Sequence, residues 1–166
     1  MRYVYPYEVE KDGDTVVVSF PDIPGALTQV DPGEEFELVV RDCLVAALGG
    51  YADLRQVPPR PSAAHGRSTV TLDVLLSAKL ALLIAMIEAG LTNVQLAHML
   101  NVNEKVVRRL LDPDHVSRID KLESALLCFN QRLDVSVRAI PSATSPPPQS
   151  NNPSVRRARK ALVSSA

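Results

Sequence analysis

The chain has 166 residues, 46% of them hydrophobic, which is enough to build one domain or two small ones around a buried core. Its formal net charge is −1, so the overall charge does not indicate a nucleic-acid partner. The distribution is uneven: Lys and Arg number 5 against 11 Asp and Glu over residues 1–60, 9 against 8 over residues 61–140, and 4 against none over residues 141–166. An acidic front and a basic end predict different partners for different segments.

The first part of the chain predicts a small antiparallel sheet. Apolar and polar residues alternate over residues 2–9, and residues 15–20 are β-branched and apolar, so the turn between them should close a hairpin. A short strand is expected over residues 26–30. Alternation returns over residues 70–75, where one more strand can rejoin this sheet. Pro6 indicates that the first strand lies at an edge or turns its nitrogen outward.

A long amphipathic helix is predicted to cover one face of that sheet. Asp31 is a capping residue, Pro32 suits the first helical position, and acidic residues follow near the positive end of the helix dipole. Apolar residues then recur at spacings of three and four as far as Leu54. A proline-rich linker, which we place at residues 61–69, separates this part of the chain from the next.

A second helix is expected over residues 78–89, with Ser77 as its cap and Gly90 after its end. It is apolar almost all round, including Leu83 and Ile87. A helix without a polar face is buried on every side, which in a small domain predicts a subunit interface. We therefore expect a homodimer or a higher homo-oligomer that is formed through the back half of the chain.

Two short helices with a tight turn between them come next. Thr92 is an N-cap type, and Val94, Ala97 and Leu100 are expected to form the apolar face of the first helix. Asn101 tolerates the left-handed conformation that the turn requires. This pattern predicts a helix-turn-helix, whose second helix enters the major groove of DNA. The alternative is a plain helical hairpin in a bundle.

The second of these helices carries the candidate DNA-binding residues. Asn103 is expected to cap it, and Glu104, Lys105, Arg108 and Arg109 are predicted to point outward. Lys105 and Arg109 can donate to guanine, and Glu104 can accept from cytosine. Arg108 is predicted to lie nearer the backbone and to meet phosphate. The residues predicted to face the core are Val106, Val107, Leu110 and Leu111.

Three further segments complete the chain. A helix is predicted to start at Ser117, with an apolar face from Ile119 to Phe129, and a last short strand is predicted over residues 133–137. Residues 141–166 are rich in Ser, Pro, Asn and Gln and contain four basic residues. Such a composition cannot bury a core, so we expect a disordered basic tail.

The residue pattern offers no catalytic, cofactor-binding or metal-binding site. His65, His98 and His115 are scattered, and no second ligand stands at metal spacing. Cys43 and Cys128 lie on apolar helical faces far apart in the sequence, which favours core thiols over a disulfide or a metal pair. Neither a phosphate-binding glycine loop nor a nucleophile motif occurs. We therefore expect a protein that is not an enzyme and needs no cofactor.

Nothing in the sequence indicates export or a membrane. Residues 1–10 lack the charged-then-apolar pattern of a signal peptide. Apolar runs elsewhere are shorter than a membrane span requires. We expect a cytoplasmic protein with no membrane partner.

Two motifs resemble one protein family. The front motif is Tyr5-Pro6, then Phe20-Pro21-Asp22-Ile23-Pro24-Gly25-Ala26-Leu27-Thr28-Gln29, then Glu34-Glu35. The back motif is Val107-Arg108-Arg109-Leu110-Leu111-Asp112-Pro113-Asp114-His115-Val116-Ser117-Arg118-Ile119-Asp120. In this order, with a proline-rich linker between them, they resemble the HicB antitoxin family, in the branch that carries a C-terminal helix-turn-helix. The resemblance covers nearly all of residues 1–140.

The resemblance implies an α+β fold. Its first part is a three- to four-stranded sheet with one covering helix, similar to a truncated ribonuclease H fold without nuclease activity. This toxin-binding domain corresponds to residues 1–60, and an all-α helix-turn-helix domain for DNA binding and dimerisation corresponds to residues 76–140. The family usually has Ala at Phe36, Thr at Pro32-Gly33 and Gly at Asn101, so the local geometry is expected to differ at these positions.

The resemblance also implies a function in a bacterial type II toxin–antitoxin system. The front domain would bind and occlude a HicA-type toxin, a small mRNA endoribonuclease. The back domain would bind operator double-stranded DNA as a dimer and repress the operon of the pair. The charge distribution agrees, since an acidic front suits a basic RNA-cleaving partner and a basic helix suits DNA.

Two other interpretations remain open at this point. A solitary repressor would use the same helix-turn-helix with a front domain for dimerisation or ligand sensing, and a neighbouring gene for a small basic protein would argue against it. An active ribonuclease H-like enzyme would need a cluster of metal-binding carboxylates. Incubation with Mg²⁺ and labelled RNA would reveal such an activity.

Overall fold

The computed structural model describes residues 3–137 of the chain. These residues have the α+β architecture that the sequence predicts, and residues as far as Val135 belong to one compact unit. The predicted tail at residues 141–166 lies outside the described residues. The elements are β1 (Val4–Asp12), β2 (Thr15–Ser19), β3 (Leu27–Val30), α1 (Phe36–Asp53), β4 (Ser68–Thr71), α2 (Val74–Glu88), α3 (Asn93–Met99), α4 (Glu104–Leu111) and α5 (Ile119–Leu127).

The strands form one antiparallel sheet in the order β3-β2-β1-β4. β1 pairs with β2 from Glu8 to Asp12, and with β4 before that point. The prediction that a strand after the linker rejoins the sheet is confirmed, although that strand begins and ends earlier than predicted, at Ser68 and Thr71. Pro6 lies where β1 pairs with β4 alone, so its missing amide hydrogen interrupts no pairing with β2.

α1 packs on this sheet and encloses the front core. Tyr5, Val18 and Leu44 are fully buried between the two layers. The rings of Tyr7 and Phe36 lie 6.2 Å apart between centroids, which joins the start of α1 to β1. The amphipathic spacing of the sequence therefore identified this helix and most of its buried side, although Val45 is also buried and Leu54, just after the helix, is 70% exposed.

The start of α1 is a correction to the sequence-based prediction. We predicted a helix that opens at Asp31, but α1 begins at Phe36, and Glu35 occupies the N-cap without a side-chain hydrogen bond. Gly33 explains the delay, because its φ of +97° cannot continue a right-handed helix. The carboxylate of Glu34 instead accepts a hydrogen bond of 2.8 Å from the amide of Asp31.

The proline-rich segment between α1 and β4 has no helix or strand, yet side chains hold it in place. The hydroxyl of Tyr5 donates to the carbonyl of Pro59 at 2.9 Å. The carboxylate of Asp22 accepts from the amide of Ser62 at 2.8 Å. The guanidinium of Arg67 donates to two carbonyls of the same segment. A buried tyrosine of β1, a carboxylate of the β2–β3 turn and an arginine of the segment itself therefore anchor this linker.

α2 begins earlier than predicted, because Asp73 rather than Ser77 caps it. The carboxylate of Asp73 accepts from the amide of Leu76 at 2.8 Å. Val74 and the residue after it therefore belong to the helix, and the predicted strand over them is wrong. Gly90 follows the helix with a φ of +63°, as expected for a glycine just past a helix end.

α2 is buried on nearly every side, but within one chain. Its residues in the front core are Leu76, Leu80 and Leu83, and those in a second core, shared with α3, α4 and α5, are Ala78, Leu82 and Met86. Leu83 and Ile87, which we expected at a subunit interface, both pack against the front core. The apolar surface of α2 therefore does not argue for a dimer.

No described helix is by itself long and apolar enough to span a membrane. α2 and α3 meet the criteria of length and composition only as a pair, which is bent by 105°. α2 is also largely buried inside the compact unit. Its apolar composition is that of a core helix.

The predicted caps of α3 and α4 are confirmed. The hydroxyl of Thr92 accepts from the amide of Gln95 at 3.3 Å, and the Gln95 side chain accepts from the amide of Thr92 at 2.8 Å, which completes a capping box. The side chain of Asn103 accepts from the amide of Lys105 at 2.9 Å. Asn101 has a φ of +52°, so the turn uses the left-handed conformation that the sequence predicts.

The buried side of α3 differs from the prediction. Val94 is 62% exposed, whereas Leu96 is fully buried beside Ala97. Leu100 is half-buried against the same core. The buried face therefore consists of Leu96, Ala97 and Leu100, whereas the predicted face had Val94 in place of Leu96. Both sets satisfy the helical period, so two turns of helix did not decide between them.

The end of the described chain corrects two further predictions. α5 begins at Ile119 with Arg118 at its N-cap, not at Ser117. The Ser117 hydroxyl donates to the carbonyl of Arg109 at 3.0 Å instead of capping a helix. Residues 131–137 form neither helix nor strand, so the predicted last strand is absent there.

Candidate functional site

α4 presents a polar outer face at the surface of the compact unit. Asn103, Lys105, Arg108 and Arg109 are exposed, and Glu104 is half-buried. The carboxylate of Glu104 pairs with the guanidinium of Arg108 one turn later, at 2.9 Å. The five candidate residues therefore lie together on one side of the helix, with three cations against one carboxylate.

The opposite side of α4 is apolar and holds the helix in the second core. Val107 and Leu110 are buried, as predicted. Val106 and Leu111 are only half-buried, and Leu111 contacts both cores. Because the inner side is fixed by packing, the outer side has a defined direction.

A buried lysine, which the sequence analysis missed, supports the end of α4. Lys79 on α2 is 3% exposed. Its ammonium donates to the backbone carbonyls of Arg109, Asp112 and His115. Burial lowers the pKa of Lys79, and the neighbouring carboxylates, Asp112 first among them, act in the opposite direction. The cation lies at the negative end of the α4 dipole, where positive charge is favourable.

The loop after α4 is ordered around this lysine. The side chain of Asp112 accepts from the amide of Asp114 at 3.0 Å, and the amide of His115 donates to the Asp112 carbonyl at 3.3 Å. The hydroxyl of Ser117 closes the loop on the carbonyl of Arg109. The polar residues of the back motif therefore fix the end of α4.

α1 stands opposite the outer face of α4, across a cleft of about 1330 Å³. The five candidate residues of α4 line one side of this cleft. The other side is lined by the α1 stripe, which consists of Asp42, Ala46, Gly49, Gly50 and Asp53. These positions recur at spacings of three and four, so they share one face of the helix.

Two contacts hold α1 beside the helices of the second core. The guanidinium of Arg55, just after α1, donates to the carbonyl of Leu91 and, at 3.3 Å, to Oδ1 of Asn93. Pro113 lies against Gly49, where a Cβ atom would come within 3.5 Å of the proline ring. Arg55, Asn93, Gly49 and Pro113 lie at the border of the cleft.

A second polar surface lies on the hairpin of β1 and β2. From Glu8 to Asp12 every residue of β1 is exposed, on both faces of the sheet. Glu8 pairs with Arg67 at 3.3 Å, but Glu10, Asp12 and Asp14 make no ion pair with another described residue. We call Glu10, Lys11, Asp12 and Asp14 the acidic hairpin. It carries three carboxylates against one lysine.

Neither histidines nor cysteines gather into a reactive centre in the part of the chain that the structure describes. Among residues 3–137, no group of three or more His, Cys, Asp or Glu side chains could hold a metal ion. Cys43 and Cys128 are free thiols that pack, half-buried, against the two different cores. Burial raises the pKa of Cys43. The thiols therefore contribute to packing, as the sequence predicted.

Comparison with known proteins identifies the family of this chain. The profile described as HicB_like antitoxin of bacterial toxin-antitoxin system matches residues 2–81. Antitoxin HicB 2 of Photorhabdus laumondii is 33% identical over 131 residues, which cover 79% of this chain and 94% of the relative. The chain belongs to the HicB antitoxin family. Antitoxin HicB of Pseudomonas fluorescens is 32% identical over 84% of this chain, and antitoxin HicB of Escherichia coli K12 is 26% identical over 81% of it.

Membership in the HicB family supports an antitoxin role and implies a toxin as partner. The residues of the front motif stabilise the fold. Phe20, Ile23 and Ala26 are buried, and the amide of Phe20 donates to the carbonyl of Ala26 at 3.0 Å. This HicB motif thus forms the rigid connection between β2 and β3.

Proposed function

We propose that this HicB-family protein neutralises a HicA-type mRNA endoribonuclease and represses its own operon as a dimer in the bacterial cytoplasm. Residues 1–60, completed by β4, bind the toxin, and residues 76–140 bind operator DNA as a helix-turn-helix domain. The observation that carries the proposal is the presence of two surfaces of opposite charge on separate elements, the acidic hairpin and the outer face of α4. An acidic surface attracts a basic RNA-binding protein, and a basic helix attracts phosphates.

The acidic hairpin is our candidate for the toxin contact. It projects beyond the part of the sheet that α1 covers, since β1 is exposed on both faces there. Its carboxylates are unpaired within the described chain, so docking of a basic partner breaks no ion pair of the antitoxin. Complementary charge of this kind steers association and fixes register.

The toxin half of the proposal is tested by charge reversal in the full chain. The variant Glu10→Lys/Asp12→Lys/Asp14→Lys should lose both growth rescue and co-purification when it is co-expressed with a HicA-type toxin. The control variant, Glu88→Lys/Glu123→Lys/Asp134→Lys, makes the same change in net charge on α2, on α5 and after α5. Equal loss in both variants would mean that net charge, not the hairpin, decides.

The outer face of α4 is our candidate for the operator contact. Lys105, in the first turn, and Arg109, one turn later, are exposed and free to donate to guanine O6 and N7. Glu104 accepts from Arg108, and its remaining lone pairs can accept from cytosine N4. Arg108, which lies beside Glu104 in this pair, serves a phosphate. Asn103 caps the helix end that enters the groove.

The DNA half is tested by titration of the operon's upstream DNA at two salt concentrations, with a panel of single-base variants. Arg109→Ala should weaken the free energy of operator binding by about 1–3 kcal/mol per half-site and relax one base preference. Arg108→Ala should mainly reduce the salt dependence of binding. Arg118→Ala removes the same charge from an exposed position at the N-cap of α5 and serves as the control. If Arg109→Ala weakens every base variant equally, Arg109 contacts phosphate instead of a base.

Dimerisation belongs to the DNA half of the proposal, because two-fold operators are read by two-fold proteins. The interface must involve surfaces other than Leu83 and Ile87, which pack inside the chain. Sedimentation equilibrium of the full chain should give twice the chain mass. A monomer at the concentration that saturates the operator would contradict the proposed dimer.

A further inference from the structure

The second half of β1 has one edge that no described strand covers. On the side away from β2, β4 pairs with β1 only as far as Tyr7. The pairing stops there because His65 and Gly66, shortly before β4, have φ values of +49° and +84°, and residues in this left-handed conformation do not continue a strand. Among residues 3–137, residues 8–12 therefore have a neighbouring strand on one side only. We call their other side the open edge of β1.

The backbone groups of Val9 and Lys11 point toward this open edge. Successive residues of an antiparallel strand turn their amides and carbonyls to opposite sides. The amide of Leu72 donates to the carbonyl of Tyr3 at 3.0 Å, in the same register as the pairing of β1 with β4, so the odd-numbered residues of β1 face the β4 side. The open edge thus presents two amides and two carbonyls to solvent on a stretch about 17 Å long.

The side chains beside the open edge select the kind of strand that can pair there. Glu8, Glu10 and Asp12 share one face of β1, because successive side chains of a strand lie on opposite faces. All three are exposed, and Arg67 pairs with Glu8 at one end of the row. Opposite charges directly across a strand pair stabilise it, and like charges destabilise it. A strand with Lys or Arg at every second position therefore fits the open edge.

The same rule disfavours a second copy of this chain at the open edge. In an antiparallel pair, residues whose backbone groups point toward the other strand oppose residues that do the same. Val9 and Lys11 of one copy would therefore oppose Val9 or Lys11 of the other, and the carboxylates of one copy would oppose those of the other in every register. Exposed charge is a common means by which native edges avoid such pairing. The row of carboxylates rejects another copy but not a basic partner.

From these observations we propose that the HicA-type toxin binds by strand addition. An extended basic segment of the toxin pairs with residues 8–12 along the open edge and lies in line with β4. Backbone hydrogen bonds to Val9 and Lys11 supply affinity, and the carboxylates of Glu10 and Asp12 fix the register. The open edge has the usual length of a strand, about five to six residues. This inference rests on the proposed function of the acidic hairpin in toxin binding.

Amide hydrogen exchange of the full chain, followed by NMR with and without a HicA-type toxin, tests the backbone contact directly. The amides of Val9 and Lys11 should exchange at least about ten-fold more slowly in the complex, because each gains a hydrogen bond there. A contact made by side chains alone would leave both amides exchanging as they do in the free chain, and that result would overturn strand addition.

A matched pair of variants at Val9 gives a second test. Val9→Pro removes an amide that faces the open edge but none that faces β2, whereas Val9→Thr keeps the amide and a β-branched side chain. Val9→Pro should bind the toxin at least about ten-fold more weakly than Val9→Thr. Circular dichroism checks that both variants are folded. The exchange experiment uses the unaltered chain, so it decides the matter even if Val9→Pro does not fold.

The outcomes separate strand addition from the proposed function. Toxin binding that depends on the acidic hairpin, with unchanged exchange at Val9 and Lys11, would overturn strand addition and leave the antitoxin role intact. Equal toxin affinities of folded Val9→Pro and Val9→Thr would overturn it as well. Slow exchange of both amides in the free chain that is lost on dilution would assign the open edge to a second copy instead. If the full chain does not bind the toxin, the proposed function fails and strand addition fails with it.

Discussion

Lys79 is a buried cation that helps to fix the orientation of the surface helix α4. Its ammonium contacts three carbonyls at the end of α4 and in the loop beyond it, while its own helix is packed into both cores. The sequence did not predict this role, because lysine in a helix ordinarily extends its ammonium to solvent. Only the loop that folds over α2, more than thirty residues later, brings the three carbonyls together.

Replacement of Lys79 by methionine should destabilise the protein. Lys79→Met keeps the volume but leaves three carbonyls without their donor, and relief of the buried charge offsets part of that loss. We expect the free energy of unfolding to fall by about 2 kcal/mol, measured by urea denaturation. Lys121→Met, at an exposed position on α5, is the control and should stay within about 0.5 kcal/mol. Equal free energies of unfolding for the two variants would show that the hydrogen bonds from Lys79 to the three carbonyls do not stabilise the fold.

At the scale of elements, the sequence predicted all five helices of residues 3–137 but placed the start correctly only for α3 and α4. The caps at Thr92 and Asn103 were predicted correctly, and each side chain accepts a hydrogen bond from a backbone amide in the first turn of its helix. Asp73 displaced Ser77 at α2 because the β ladder ends just before it, with the amide of Leu72 bonded to Tyr3. A local pattern does not reveal where a distant strand stops pairing.

The candidate site was predicted only in part, for a related reason. Asn103, Glu104, Lys105, Arg108 and Arg109 share one face because helical spacing places them there. The α1 stripe opposite them gave no signal, since exposed acids on an amphipathic helix are ordinary in sequence. Which of those acids face α4 is decided by packing between residues far apart in the chain, such as Pro113 against Gly49.

The turn between α3 and α4 gives a prediction at this scale. Asn101 holds a φ of +52° at an exposed position, which a β-branched residue tolerates poorly. Asn101→Gly should be neutral or raise the free energy of unfolding by up to about 1 kcal/mol, whereas Asn101→Val should lower it by about 1–2 kcal/mol. Thermal denaturation of the two variants measures the difference. A valine variant as stable as the glycine variant would mean that the turn adopts another conformation.

At the scale of the whole molecule, α2 makes the two halves depend on each other. One side of α2 completes the core under the sheet, and the other side completes the core of α3, α4 and α5. Removal of α2 would leave both cores open. The described chain should therefore unfold as one cooperative unit, even though its two halves are proposed to bind different partners.

Tyrosine fluorescence offers a direct test of this coupling. All four tyrosines, Tyr3, Tyr5, Tyr7 and Tyr51, lie in the front half, and the chain has no tryptophan. Leu82→Ala, in the second core, should lower the free energy of unfolding by about 3 kcal/mol. It should shift the unfolding transition seen by tyrosine fluorescence as far as the transition seen by helical circular dichroism. Leu127→Ala, 51% exposed on α5, is the control and should shift neither by much. A tyrosine transition that stays in place would mean that the halves unfold independently.

The anchored linker has a consequence for how long the protein survives among proteases. A protease needs several residues of extended, released backbone, and stretches without helix or strand ordinarily supply them. Here Tyr5, Asp22 and Arg67 hold that backbone, so cleavage has to wait until these contacts open together. When opening is fast compared with cleavage, the rate of degradation follows the fraction of time spent open. The lifetime of this HicB-family protein then depends in part on the hydrogen bond from the Tyr5 hydroxyl to the Pro59 carbonyl.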